Sequence, residues 1–247
     1  MQPTSTEQTQ RTNTSFLYVA VLIALLALGL VAFLRSSVFS IQRLAVQGVQ
    51  QVPEKEIQDL VSGVLGQNLF LVDQALLAKR VTLHSLVRSV TFKRQFPHTL
   101  IVTITERTPS ALVAVSNGVL EVDGEGVFLR RLEGWPQTDY PVISGVDIPD
   151  TAGPGQPLQN PSLTSALKVI GEAPNEMLPL VGEVHVSKVQ QITLFLTSGV
   201  EVRLGQAQEW KDKLQVLFRL LQDKDYRTMQ PGVRYIDFTA ATPVIGR

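Results

Sequence analysis

The sequence predicts an α+β protein held to a membrane by a single N-terminal transmembrane helix. Three observations carry that prediction. Phe16 to Leu34 is an uncharged apolar run of 19 residues. Residues 39–107 show hydrophobic spacing in the order strand, helix, helix, strand, strand. Residues 108–239 are rich in period-two stretches and hold one strongly amphipathic helix. That last pattern predicts a β-rich domain with a mixed or antiparallel sheet and flanking helices.

As a helix, the apolar run measures about 28 Å at about 1.5 Å per residue, close to a hydrocarbon core about 30 Å thick. A secretory signal has a shorter apolar core and a small-x-small cleavage site, and Val31-Ala32-Phe33-Leu34-Arg35 offers no Ala-x-Ala. The run therefore reads as an uncleaved anchor, residues 16–34, behind a polar tail, residues 1–15. Flanking charge leaves its orientation open. Arg11 precedes the span while Arg35 and Arg43 follow it, and the positive-inside rule is weak for long translocated domains.

The 22 basic and 22 acidic residues cancel, so no basic stripe marks a nucleic-acid surface and no acidic block marks a disordered tail. Cysteine is absent, which excludes disulfides, thiolate metal sites and a cysteine nucleophile.

In residues 39–107, Leu44 and Val46 share one face of a strand that Gly48 ends. Pro53-Glu54-Lys55-Glu56 opens a helix, with proline in the first turn and carboxylates at the positive end of the dipole. Ile57, Leu60, Val61 and Val64 make its buried stripe. Asp73 is the expected N-cap of a second short helix carrying Leu76, Leu77 and Val81, closed by Lys79 and Arg80. Val90 and Phe92 mark a strand, Phe96-Pro97-His98-Thr99 a turn, and Leu100, Val102 and Ile104 the returning strand.

Two motifs in this stretch resemble the FtsQ/DivIB family of bacterial cell-division proteins. Phe39-Ser40-Ile41 with Val46-Gln47-Gly48 is similar to the opening of the family's POTRA domain. Pro97-His98-Thr99-Leu100-Ile101-Val102-Thr103-Ile104-Thr105-Glu106-Arg107-Thr108-Pro109 is similar to its end. The resemblance implies a POTRA domain, β-α-α-β-β, over residues 39–107, then an FtsQ-type β domain over 108–239 and a C-terminal tail, 240–247.

In the second part, Val119 to Phe128 reads as two strands around the turn Asp123-Gly124-Glu125-Gly126, similar to the stretch that follows the POTRA domain in this family. Dinucleotide binding is the rival reading of Gly124-Glu125-Gly126, but a third glycine and a following amphipathic helix are both missing. Pro141 to Pro161, with its many prolines and glycines, reads as a long loop, and Ser162 as the cap of a helix through Gly171. Ile192, Leu194 and Leu196 alternate, Ser198-Gly199 turns, and Val200, Val202 and Leu204 alternate back, which predicts a hairpin. Trp210, Leu214, Leu217, Phe218 and Leu221 form the stripe of the clearest helix, with Glu209 and Lys213 as an i,i+4 pair. Packing of that stripe on a sheet is expected over a membrane-surface role. Gly205, Lys213 and Leu214 match family positions. So does the last predicted strand, although Thr239 stands where the family commonly has arginine.

That last strand, Val233-Arg234-Tyr235-Ile236-Asp237-Phe238, has no predicted element after it to cover it. It is therefore the expected partner-binding edge, offering unpaired N–H and C=O groups to a strand from another chain; the alternative is a place inside the sheet. The resemblance implies that FtsB and FtsL attach at this end of the domain.

Catalytic chemistry finds no footing. His84, read in an inter-helix loop, His98 in the proline turn and His185 in a strand do not form a His-x-x-x-His pair, and neither a nucleophile elbow nor a phosphate-binding loop is present. Asp123, Glu125 and Asp237 are carboxylates that the fold alone can bring together. No catalytic, cofactor-binding or metal residue is assigned. The resemblance implies a non-enzymatic divisome scaffold in the cytoplasmic membrane, N-terminus inside, linking early and late division proteins of the FtsB/FtsL type at the septum. It implies no nucleic acid and no small-molecule substrate. The rival functions are a POTRA-bearing envelope assembly or secretion factor, which would continue into many alternating barrel strands, and an anchored envelope hydrolase, which lacks a nucleophile motif.

Overall fold

A computed structural model describes residues 7–116, 118–206, 210–240 and 242–247, with the backbone alone for 7–15. Helix α1 (Glu7–Leu34) contains the whole apolar run and begins nine residues ahead of it. The expected Glu209–Lys213 pair involves a residue outside those described. The chain forms two units: residues 1–81 with 89–105, and residues 82–88 with 106–247.

The first unit follows α1 with β1 (Arg43–Gln47), α2 (Glu54–Val61), α3 (Gln74–Val81), β2 (Val87–Gln95) and β3 (Thr99–Glu106). This is the β-α-α-β-β order expected of a POTRA domain. Its sheet runs β1-β3-β2, with β1 parallel to β3 so that Leu44 lies opposite Leu100 and Val46 opposite Val102. On α2, Ile57 and Val61 are buried one turn apart, and Glu54 and Glu56 occupy the first turn, where the dipole favours them. Asp73 Oδ1 accepts the Leu76 N–H at 3.0 Å, the cap expected for α3. Ile41, Val64, Leu69, Val72, Leu77 and Leu100 make the core between helices and sheet. Gly48 has φ +82°, and a Cβ there would lie 2.2 Å from the Ile104 carbonyl oxygen. Only glycine suits both the left-handed backbone and the close approach to β3.

The second unit contains β4 (Pro109–Val115), β5 (Gly118–Asp123), β6 (Phe128–Leu132), β7 (Val142–Ser144), α4 (Pro161–Glu172), β8 (Val181–Val186), β9 (Ile192–Leu196), β10 (Glu201–Gly205), α5 (Trp210–Gln222), α6 (Lys224–Met229), β11 (Tyr235–Asp237) and β12 (Val244–Gly246). Its nine strands run β12-β11-β10-β9-β8-β7-β4-β5-β6. The sheet is mixed: β4 with β7, β7 with β8, and β10 with β11 are parallel. Parallel neighbours need a crossover, and α4 and α5 lie within two of them, β7 to β8 and β10 to β11. Both helices share one apolar core with the sheet, through Leu163, Ala166 and Ile170 on α4 and Trp210, Leu214 and Leu217 on α5. Lys213 Nζ, on the flank of α5, donates to the Leu204 carbonyl at 2.8 Å, tying the helix to the end of β10.

Two local expectations are corrected. Residues 141–161 are not loop throughout, because Val142–Ser144 forms β7 between β4 and β8. Ser162 is not the cap of α4. Asn160 is, its side-chain oxygen accepting the Leu163 N–H at 3.1 Å, with Pro161 at the first helical position, where a missing N–H costs nothing.

A polar cluster fixes the β5–β6 turn. Arg107 Nη1 lies 2.6 Å from Asp123 Oδ2 and 3.0 Å from Glu125 Oε2. Asp123 Oδ1 accepts the N–H groups of Glu125 and Val127 at 2.9 and 2.8 Å. Arg88 pairs with the outer side of Glu125. Burial lowers the Arg107 pKa, but its hydrogen bonds to Asp123 and Glu125 outweigh it and raise the value above ordinary arginine. The hydrogen bond from Arg107, then that from Arg88, hold Glu125 below the usual carboxylate range.

A depressed carboxylate contributes stability above its unfolded pKa of about 4.3 and loses it as pH falls through the lower folded value. Both tryptophans lie in the second unit, so tryptophan fluorescence follows its unfolding. The thermal midpoint should fall as pH drops below about 4.3, and Glu125→Gln should flatten that decline while leaving its remainder intact. Arg107→Ala, which strands the Asp123 carboxylate at 7% side-chain exposure, should cost about 3 kcal/mol at neutral pH.

Candidate partner-binding edge

The six residues expected to form an exposed last strand occupy the penultimate position. Tyr235–Asp237 forms β11, parallel to β10 on one side and antiparallel to β12 on the other. Tyr235 lies opposite Gly246, Ile236 opposite Ile245 and Asp237 opposite Val244. The expectation that nothing later covers this strand is therefore corrected: residues 244–246 cover it, and among the described residues the sheet ends at β12. A short apolar triplet after Thr242-Pro243 is below the length at which alternation identifies a strand.

Alternation sets the two faces of β11. Ile236 and, two residues on, Phe238 point into the core, and Val233, ahead of the strand, is buried there too. Arg234 is exposed, and Tyr235 and Asp237 are half-buried on the opposite face. There the Arg203 guanidinium sits over the Tyr235 ring, 4.7 Å from its centroid. Arg203 Nε donates to Glu201 Oε1 at 2.8 Å, and its Nη1 lies 3.9 Å from Asp237 Oδ2. Asp237 Oδ1 accepts the Thr239 hydroxyl at 2.6 Å and the Thr239 N–H at 2.8 Å. These two bonds, the hydroxyl first, hold Asp237 below the usual carboxylate range, and the Glu201 hydrogen bond raises Arg203. Thr239, at the position where the resemblance expected arginine, thus caps the strand end through Asp237.

β12 presents a different surface. Val244 and Ile245 are 48% and 38% exposed, an apolar pair on an edge strand. Gly246 lies against the Tyr235 ring, where a Cβ would come within 2.1 Å of it. The Arg234 N–H donates to the Gly246 carbonyl at 2.9 Å.

The other residues singled out in the sequence lie elsewhere. Asp123 and Glu125 meet at Arg107, whereas Asp237 sits on β11 at the far side of the sheet order from β5. Gly124-Glu125-Gly126 is the β5–β6 turn. His84 lies between helix α3 and strand β2, not between helices, and its Nδ1 accepts the Leu86 N–H at 3.3 Å. The carbonyl of His98 accepts the Gln42 and Arg43 N–H groups. His185, on β8, has its Nδ1 2.7 Å from Ser144 Oγ, and Ser144 also donates to Glu183. Sequence reasoning missed this trio, since its members become neighbours only through the β7–β8 register. Here the hydroxyl stands between carboxylate and imidazole, whereas a hydrolase relay places the imidazole in the middle.

Gly246→Ala should force β12 away from Tyr235. Hydrogen exchange should then quicken at residues 244–246 while the tryptophan-detected midpoint of the unit stays nearly unchanged. Ile236→Ala empties a core position and should cost about 2–5 kcal/mol. A thermal midpoint unmoved by Ile236→Ala would contradict the interior placement of β11.

The chain matches the family description "Cell division protein FtsQ/DivIB, C-terminal" over residues 111–238 and "POTRA domain, FtsQ-type" over residues 39–107. It is similar to a cell division protein FtsQ of Anaeromyxobacter, 29% identical over 87% of this chain and 76% of that one. An FtsQ of Geobacter is 28% identical over 83% of this chain and 73% of its own length. An FtsQ of Myxococcus fulvus is 29% identical over 83% and 72%. With an apolar N-terminal helix, a POTRA-type unit over residues 39–107 and a mixed sheet within the stretch matched over residues 111–238, the chain belongs to the FtsQ/DivIB family of cell-division proteins.

Proposed function

We propose that this chain is a non-enzymatic divisome scaffold, anchored in the cytoplasmic membrane by residues 16–34, with its N-terminus in the cytoplasm and both units outside. At the septum it links early and late division proteins by holding single-span partners of the FtsB/FtsL type. The observation that carries this reading is the open end of the nine-stranded sheet. Among the described residues, β12 has a neighbour on one side only and offers Val244 and Ile245 beside its open backbone edge. A partner segment adding a strand there would satisfy those backbone groups, and its alternate side chains would meet the apolar pair. Residues 233–238 contribute from beneath: Ile236 and Phe238 seat β11 in the core, and Tyr235 supports β12 through Gly246.

Two experiments test the parts separately. Alkaline phosphatase fused after Arg247 should be active in cells. A stable but inactive fusion would place the units in the cytoplasm. Val244→Asp with Ile245→Asp adds charge to an exposed edge without touching the core, so the tryptophan-detected midpoint should hold. The doubly substituted chain should reach the membrane normally yet fail to co-purify FtsB and FtsL, and filamentation should follow when it replaces the native chain. Full co-purification would exclude this edge as the attachment site.

A further inference from the structure

The first unit carries a chain of aromatic rings that starts inside the apolar run and ends in the open. Phe33, in the last turn of α1, meets Phe39 edge to face with ring centroids 5.3 Å apart. Phe39 lies 5.1 Å from Phe70 and 6.2 Å from Phe96, and Phe70 stacks on Phe96 at 5.4 Å. Phe96 is 57% exposed and Leu71, beside Phe70, is 64% exposed; Val38 is exposed as well.

The connection between α1 and this cluster is fixed by hydrogen bonds. The Asn68 side-chain amide donates to the Leu34 carbonyl at 2.8 Å and to the Ser36 carbonyl at 3.3 Å. It thereby satisfies carbonyls that a helix end leaves without intrahelical partners. Leu69 N–H donates to the Phe39 carbonyl, Ile41 N–H to Gln67 and Gly66 N–H to Ile41, joining residues 39–41 to 66–69. The rings therefore keep a set height above the last turn of α1.

That height decides what they meet. With residues 16–34 spanning the hydrocarbon core, Leu34 lies at its border, and the next few ångströms are the headgroup layer, where aromatic side chains concentrate. Arg35, Arg43 and Arg94 are exposed on the flanking segments. Arg94 Nε donates to the Leu69 carbonyl, and Arg43 pairs in register with Thr99 at the foot of β3. Asp73, the one carboxylate within two residues of Leu71, is occupied in capping α3.

Resting on the reading of residues 16–34 as a membrane span, we infer that this surface is seated in the headgroup layer of the same bilayer. Phe70, Phe96 and Leu71 lie at glycerol and upper-acyl depth, and the arginines face lipid phosphates. The interface continues the one α1 makes with lipid.

The absence of cysteine makes the test direct. Leu71→Cys, Phe96→Cys, Leu25→Cys and Ser89→Cys are each spin-labelled in the full chain, in nanodiscs of phosphatidylglycerol and phosphatidylcholine. Relative collision with oxygen and with a water-soluble nickel chelate is then measured. Ser89 is exposed near the other end of β2 from Phe96, about 20 Å away, and reports water. The oxygen-to-nickel ratio at positions 71 and 96 should exceed that at 89 several-fold. Should position 25 be lipid-like while 71 is as aqueous as 89, the inference falls and the span stands. An aqueous position 25 removes both. Leu71→Cys leaves every ring in place, so it decides if the two surface labels disagree.

Discussion

The second unit depends on one carboxylate. Asp123 is nearly buried, and a charge in that position is costly unless its oxygens are fully engaged. One oxygen takes the Arg107 guanidinium and the other takes two backbone N–H groups of the turn that follows. The first interaction ties the segment just before β4 to the end of β5, where Pro109 stands opposite Asp123. The second shapes the turn that returns the chain as β6. Val122 and Phe128, on either side of that turn, enter the core together. One side chain thus sets the start of β4 and the end of β5, along with the entry into β6. Arg107, in the motif that closes the POTRA domain, and Asp123, in the stretch that follows it, are thereby neighbours.

From that end the sheet grows by two different rules. Antiparallel pairs such as β8 with β9 need only a tight turn, and the chain makes them with short connections. Parallel pairs require a crossover of a dozen or more residues, and α4 and α5 lie in such crossovers. Because both helices pack into the same apolar core, their stripes are shared rather than independent. Trp210, Leu214 and Leu217 on α5 belong to one cluster with Leu163, Ala166 and Ile170 on α4. Lys168 of α4 also lies over the Trp210 ring, 5.9 Å from its centroid. Tyr226, just after α5, is buried in the same core, and that burial raises the pKa of its hydroxyl.

The legible parts of this fold are those in which one segment carries its own pattern. The apolar run, the helices with stripes at Ile57–Val61 and Trp210–Leu217, the Asp73 cap and the Ile192–Leu204 hairpin each hold enough residues to show a period. Strand β7 holds three residues between prolines and glycines, too few for alternation, and it exists because β4 and β8 pair with it from both sides. The start of α4 is legible only to within two residues, because Asn160 and Ser162 are both good caps and Pro161 between them decides for Asn160. At the candidate site, the resemblance of Val233 to Phe238 to the family's closing motif identifies the strand but not its place in the sheet. Place in a sheet is a non-local property. Here it turned on Val244, Ile245 and Gly246, whose pairing depends on the Tyr235 ring finding a residue without a side chain.

The end of the sheet sets a well-anchored interior strand beside a short edge strand. A long, flat, apolar edge invites aggregation, and proteins blunt such edges by making them short. β12 is three residues long, and it pairs with β11 on one side while, among the described residues, no strand pairs with its other side. The surface that must stay ordered, β11, is held by core packing at Ile236 and Phe238 and by the polar group of Arg203, Glu201, Asp237 and Thr239. The outer strand, β12, is held to β11 through three register pairs and a ring-to-glycine contact. A partner strand added at Val244–Gly246, as proposed, would lengthen a sheet whose last interior strand is already in place. The ordering cost of binding falls on the short edge and the incoming segment, with the core left as it was.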